Sequence, residues 1–293
     1  MSIFIPVDYD GRRYPEDISP KIKEVAGNFD VPYIRPLKEY SLHTEYSYGK
    51  RKFDTNLISS FNTIKESHKD FVPKLWANKK WAEEFSDFII KLVGSNRPPK
   101  IIEIHPPFND YCNSIDDFIE IYQVFEGRIT ETYPETEILI ENRYGTIYRG
   151  GKFLVSNVSD LEKLCDLINK NGLRLRVVLD FIQVFSSYNL GPGKFNMEKI
   201  SSVMKSIYPI REMIKGVHLW GKKDYGSGRF VAHMGNLDTY FVQKNLKDIF
   251  LGELYKLLDD GNPRYFVPEV NSSDQDLRSI IEDLKRSGFK FVK

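Results

Sequence analysis

Short apolar runs alternate with longer amphipathic stretches through the last two-thirds of the chain. The runs cover residues 100–105 (KIIEIH), 137–141 (EILIE), 173–180 (LRLRVVLD), 214–218 (IKGVH) and 265–269 (YFVPE). Each is of strand length and rich in Ile and Val, as expected where both faces of a strand are covered. Between and after them the pattern predicts helices over 115–133, 159–171, 196–211, 238–258 and 274–286, with a last short segment at 289–292. The first of these follows an Asn113/Ser114 cap and carries Asp116 and Asp117 in its first turn, where the helix dipole favours acids. The second ends at Gly172, a glycine suited to the left-handed turn that closes a helix.

The strand ends recur at intervals that suit consecutive βα units of a parallel barrel, each on the order of 30 residues or slightly more. Only the last interval, from His218 to Glu269, is long. Its excess lies in 220–237 (WGKKDYGSGRFVAHMGNL), a Gly-rich basic loop directly after a strand. Barrel enzymes place their chemistry in such loops. The first hundred residues are less legible: a helix over 76–93 and strands over 2–8 and 38–44 leave too little chain for two full βα units. There is no internal repeat and no low-complexity linker. The expectation is an α/β protein, a single TIM-type (β/α)8 barrel over residues 1–293 that is irregular at its N-terminal strands.

What terminates the strands carries the chemistry. Five successive runs end in His105, Glu141, Asp180, His218 and Glu269. Each alone has an ordinary explanation, since an Asp or Glu after a strand caps the next helix and a histidine hydrogen-bonds within the core. Five in register are another matter. A carboxylate at a buried strand end costs several kcal/mol unless it is paired or coordinates a metal, and a parallel barrel gathers its strand ends on one face. Two imidazoles and three carboxylates suit Zn²⁺ or Mn²⁺ better than Mg²⁺ alone.

Composition bounds the rest. The chain has 293 residues, 41% of them hydrophobic, which excludes a disordered polypeptide. With 42 basic and 41 acidic residues, the net charge of +1 gives no global attraction to nucleic acid or an anionic membrane. Two cysteines, Cys112 and Cys165, make no disulfide framework; the N-terminus lacks signal-peptide character and no apolar run is long enough to span a bilayer. A cytoplasmic protein with no membrane partner is therefore expected.

Several short motifs together resemble the xylose-isomerase-like barrels, most closely endonuclease IV, the zinc-dependent apurinic-site nucleases (AP endonuclease family 2). They are Ile104-His105-Pro106 (family H-P-G), Glu141-Asn142 with Gly145 (E-N-T-A-G) and Asp180 with Phe185 and Tyr188-Asn189 (D-T-C-H-x-F-x-x-G-Y-D). His218-Leu219 (H-L-N), Gly226-Ser227 with His233 and Gly235 (G-S…D-R-H…G) and Pro268-Glu269-Val270 (E-T-P) follow in order, so that the likeness runs from about residue 100 to 271. The resemblance implies that Glu141, Asp180, His218 and Glu269 hold one ion. It implies a second held by His105, a bridging Glu141 and His43 from an earlier strand. His68, in the charged stretch KESHKDF, reads as a surface residue of a helix.

The departures bear on function. Gln183 stands where these nucleases carry a third-ion histidine, and Val231 where they carry an aspartate, so a third ion is not expected. The leading expectation is a metal-dependent hydrolase of phosphodiesters, with abasic-site DNA as substrate, one or two ions, and Glu141 and Glu269 as catalytic carboxylates. The alternative is a sugar isomerase or epimerase in which those two glutamates act as acid and base; the third is a metal-free binding barrel. Arg143 and Arg149, Lys222, Lys223 and Arg229 supply positive charge for DNA or a phosphorylated sugar. His233 falls in the same long loop. Trp220, with Tyr144, Phe108 and Tyr111, is a candidate to stack on a base or sugar face. The oligomeric state is not legible.

Overall fold

The computed structural model describes residues 1–53, 56–145, 150–226 and 228–292. Eight strands carry the fold: β1 (Ile3–Asp8), β2 (Ile22–Gly27), β3 (Tyr40–Thr44), β4 (Ile101–Ile104), β5 (Glu137–Glu141), β6 (Arg176–Asp180), β7 (Ile214–Leu219) and β8 (Pro263–Pro268). They hydrogen-bond in sequence order, and β1 also pairs parallel with β8. The sheet thus closes on itself as a (β/α)8 barrel. Residues Lys290–Phe291 pair on β1 as a short extra strand.

The five predicted runs are all strands, and β4 is buried at every position. The predicted 2–8 and 38–44 are β1 and β3. β2 was not anticipated: IKEVAG alternates too weakly to read as a strand, with Lys23 exposed and Glu24 and Val25 only partly buried. Among the described residues no helix separates β1, β2 and β3, so the N-terminal strands are joined tersely, as their spacing required.

The outer helices are α1 (Lys79–Val93), α2 (Ile115–Thr132), α3 (Val158–Lys170), α4 (Phe181–Ser187), α5 (Met197–Ser206), α6 (Lys244–Leu258) and α7 (Asp274–Arg286). Ser114 caps α2 through the Asp117 amide, and Asn157 and Asp160 form a reciprocal capping box on α3. Two predicted helices break. The stretch 196–211 ends as α5 and continues as a 3-10 turn over Tyr208–Met213 that opens with Pro209. The stretch 238–258 divides into a one-turn helix, Leu237–Phe241, and α6 at Val242, whose φ of 65° no helix accommodates. His68 lies in a two-stranded ribbon, His68–Lys69 with Val72–Pro73, rather than in a helix. Its ring sits between Phe53 and Phe71.

The chain forms two compact units, residues 1–23 with 178–293 and residues 24–177, whose limits fall inside β2 and β6. In the second unit an aromatic cluster of Trp76, Trp81, Phe85, Phe118 and Phe125 packs α1 and α2 together. The Trp76 indole also donates to the carbonyl of His105 at 2.6 Å, tying that cluster to the end of β4. In the first unit Phe181, Phe185, Phe195, Phe241 and Phe250 form an equivalent cluster beneath α4, which begins at Asp180. Packing of this kind fixes the strand ends from which the candidate ligands project.

Candidate metal centre

In the unit of residues 24–177, β3 to β5 bring four side chains together. His43, Glu103, His105 and Glu141 each offer a ligand atom, and all four atoms lie within 4.8 Å of one another. Glu103, His105 and Glu141 are buried. His105 Nε2 lies 2.9 Å from Glu141 Oε2, and its Nδ1 lies 3.2 Å from the Glu45 carbonyl. Both partners are acceptors, so either ring nitrogen can donate and the tautomer decides which one does. Burial lowers the His105 pKa, opposed by the hydrogen bond to Glu141. The neutral form is the one that binds a metal.

His43 behaves differently. Its Nδ1 lies 3.3 Å from Glu24 Oε1 and 3.5 Å from Glu103 Oε1. Burial opposes its protonation, but the carboxylates of Glu24 and Glu103 outweigh burial and raise the pKa to about 10. Glu45, also buried, accepts from the Phe29 and Tyr46 amides and from Arg51 Nε at 2.8 Å. Burial raises its pKa and Arg51 pulls it back. Arg143 lies 3.7 Å from Glu141 and places its guanidinium over the rings of Tyr46 and Phe153.

Glu45 faces Arg51, Glu24 and Glu103 face the His43 imidazole, and Glu141 faces His105 and Arg143. This donor set of buried imidazole and carboxylate fits a divalent cation of the Zn²⁺ or Mn²⁺ class. Residues His43, His105 and Glu141 are those the sequence pointed to. Glu24 and Glu103 were missed. A glutamate inside an apolar run reads only as a polar interruption, and nothing local marks it as facing a histidine on the next strand.

In the unit of residues 1–23 and 178–293, the other strand-end residues form a connected set. Asp180 caps α4, its Oδ1 accepting from the Gln183 amide, while Oδ2 accepts from Trp220 Nε1 at 2.9 Å. Helix capping is thus part of what Asp180 does, and Gln183 adds a backbone donor to it where a histidine would have added a ligand. Glu269 sits between two imidazoles, with Oε1 3.5 Å from His218 Nδ1 and Oε2 3.5 Å from His233 Nδ1. His218 and Glu269 are buried.

The structure also redistributes the residues expected to meet a substrate. Trp220 is 2% exposed and its ring is covered by that of His233 at 4.2 Å, so it holds Asp180 and offers no face to a ligand. His233 in turn packs against Glu269 instead of reaching into solvent. Lys222 is half-buried, donating to Ser186 Oγ and lying beside the rings of Trp220 and Tyr240; burial lowers its pKa, with Asp180 acting the other way. Phe108 is stacked on Phe153 in the core and is no platform. Arg229, Lys223 and Tyr144 are exposed. The long loop is a hairpin, Lys222–Asp224 with Phe230–Ala232, with Tyr225, Phe230 and Val231 exposed. Arg149 and Ser227 lie outside the described residues. No helix is long and apolar enough to cross a membrane among the residues described.

No protein-family profile matches the chain, and no curated protein does. Among solved structures it is similar to the AsfvAP:AG crystal structure (14% identity, TM-score 0.49, 86% of each chain covered). It is also similar to a xylose isomerase domain protein from Planctomyces limnophilus (12%, 0.43, 90% of this chain and 95% of that one). A third is the IOLI protein with a bound zinc atom (11%, 0.41, 91% and 96%). These are distant likenesses.

Proposed function

We propose that the chain is a metal-dependent enzyme whose leading activity is hydrolysis of a phosphodiester, with abasic-site DNA as the first substrate to try. The observation that carries this reading is the group of half-buried His43 and buried His105 and Glu141, with Glu103, whose ligand atoms lie within 4.8 Å of one another. In this proposal His43, His105 and Glu141 hold an ion in one unit, and Asp180, His218 and Glu269 are the candidate ligands of the other. When bound, a Zn²⁺ or Mn²⁺ ion supplies a water of lowered pKa and stabilises negative charge on the group transferred.

The chain's own residues do the rest. Glu269, held between His218 and His233, would accept a proton at its carboxylate. Arg143, fixed over Tyr46 and Phe153, would orient Glu141 through their ion pair. Lys222 and Arg229 would meet substrate oxygens, Lys222 from a half-buried position and Arg229 from solvent.

The second reading is a sugar isomerase or epimerase, with Glu141 and Glu269 shuttling a proton on carbon. What favours it is the Asp180 environment, where Gln183 and Trp220 supply N–H donors and no further metal ligand. Such a site suits one or two ions, as that chemistry requires. Two assays separate the readings. Incision of an abasic-site duplex that is lost in Glu269→Gln supports the hydrolase. Deuterium uptake at a sugar carbon from D₂O, across a ketose panel, supports the isomerase. Absence of stoichiometric Zn²⁺ or Mn²⁺ by elemental analysis, with no binding of added ion, overturns both and leaves the binding barrel. The cytoplasmic location belongs to this proposal as well.

A further inference from the structure

His43 lies on β3, and in the closed sheet β3 has β2 on one side and β4 on the other. Each of these neighbours places a carboxylate oxygen at ion-pair distance from the same imidazole nitrogen: Glu24 of β2 at 3.3 Å and Glu103 of β4 at 3.5 Å, both from Nδ1. The β3–β4 register sets His43 directly beside Glu103. Glu103 precedes His105 by two residues, so its side chain leaves the sheet on the same face, one pleat deeper in the barrel. Thr44, next to His43, donates its hydroxyl to the Glu103 carbonyl at 2.7 Å and pins that register.

Two carboxylates, one buried and one partly so, on one ring nitrogen are a costly way to stabilise a fold, because desolvation of the charges consumes most of what their attraction returns. The arrangement does have a consequence for ligation. A metal-binding histidine needs one nitrogen protonated and anchored so that the other presents its lone pair in a fixed direction, and carboxylate partners at the anchored nitrogen also make the ligand more basic. His105 has a backbone partner at the same ring position, its Nδ1 lying 3.2 Å from the Glu45 carbonyl.

We propose that Glu24 and Glu103 are positioning residues for His43: together they hold the proton on Nδ1, so that Nε2 is the nitrogen offered to a divalent cation. This rests on the metal-centre reading above and assigns Glu103 a role through His43 rather than as a ligand. The set is a carboxylate–imidazole–carboxylate bridge across three adjacent strands, and it selects both the tautomer and the ring orientation before any ion arrives.

The test uses the full chain and Zn²⁺. Its affinity is measured by competition with a chromophoric chelator for the wild type, Glu24→Gln, Glu103→Gln and the double variant, with urea denaturation of each metal-free protein run in parallel. The single variants are expected to weaken Zn²⁺ roughly 10-fold and the double variant up to about 100-fold, with His43→Gln at least as damaging. The chain has only 5 histidines, so ¹⁵N-histidine NMR of the zinc-loaded wild type resolves the ring, with His43→Gln providing the assignment. Nδ1 should be protonated and Nε2 coordinated, a result that a merely stabilising ion cluster would not produce and that needs no variant to fold. Affinities within twofold of the wild type, or a coordinated Nδ1, overturn the proposal while leaving the metal centre standing. A wild type that binds no Zn²⁺ overturns the metal centre and the proposal with it.

Discussion

Asp180 uses both carboxylate oxygens within its own unit, one on the Gln183 amide and one on the Trp220 indole, and the second bond makes its orientation depend on a residue forty positions away. Trp220→Phe keeps the ring against His233 and removes only the donor. Loss of a charge-assisted bond to a buried carboxylate costs about 1–3 kcal/mol, so the urea midpoint should fall accordingly. A change below about 0.5 kcal/mol, the range of an uninvolved substitution, would mean that Asp180 is held by its cap alone. Glu141→Gln carries the sharper functional expectation. If Glu141 bridges two ions, elemental analysis of the variant should find both lost or weakened; loss of one with the other unaffected would restrict Glu141 to a single site.

At the scale of elements, loops and strand ends are set by contacts that allow little substitution. Gly221 separates Trp220 from Lys222, and a Cβ built on it would stand 2.4 Å from the carbonyl oxygen and 2.5 Å from the nitrogen of Asn236. Backbone cannot step aside as a flexible side chain would. Gly221→Ala should therefore cost roughly 1–3 kcal/mol as an overpacked site and shift the tryptophan fluorescence of Trp220 as the loop moves; an unchanged spectrum and midpoint would refute the contact. At the other end of the barrel, Arg264 of β8 is buried and donates to Asp260 and to the carbonyls of Ile214, Leu258, Asn262 and Arg211. These bonds join β8, β7 and the end of α6. The hydrogen bonds from Arg264 hold the Asp260 carboxyl far below the ordinary carboxylate range. A carboxyl depressed by folding contributes stability above its unfolded pKa of about 3.9, and that stability is lost as pH falls through the folded value. Asp260→Asn should thus cost about 3 kcal/mol at pH 7 by leaving a buried guanidinium without its anion. Below about pH 4 the gap from the wild type should narrow. Denaturation at pH 7 and pH 3 measures both, and equal gaps at the two values would refute the assignment.

For the whole molecule, the centre makes metal a determinant of stability as well as chemistry. An ion present at about 100 times its Kd adds roughly 2.7 kcal/mol, enough to raise the melting temperature by several degrees, and a chelator should reverse it. No shift with either would argue against a bound ion. The alternation of strands and helices, the cap at Ser114, and the strand-end positions of His105, Glu141, Asp180, His218 and Glu269 follow from the sequence by itself, because hydrophobic period and capping chemistry act over a few residues. Tertiary structure decided what those residues face. β2 is too polar to announce itself and becomes a strand only by pairing in the sheet. Glu24 and Glu103 meet His43 only through strand register. Trp220 has the composition of a stacking platform and is instead a buried donor. In each case the partner lies on another strand or a distant loop, and only the closed sheet brings the two within a hydrogen bond's reach.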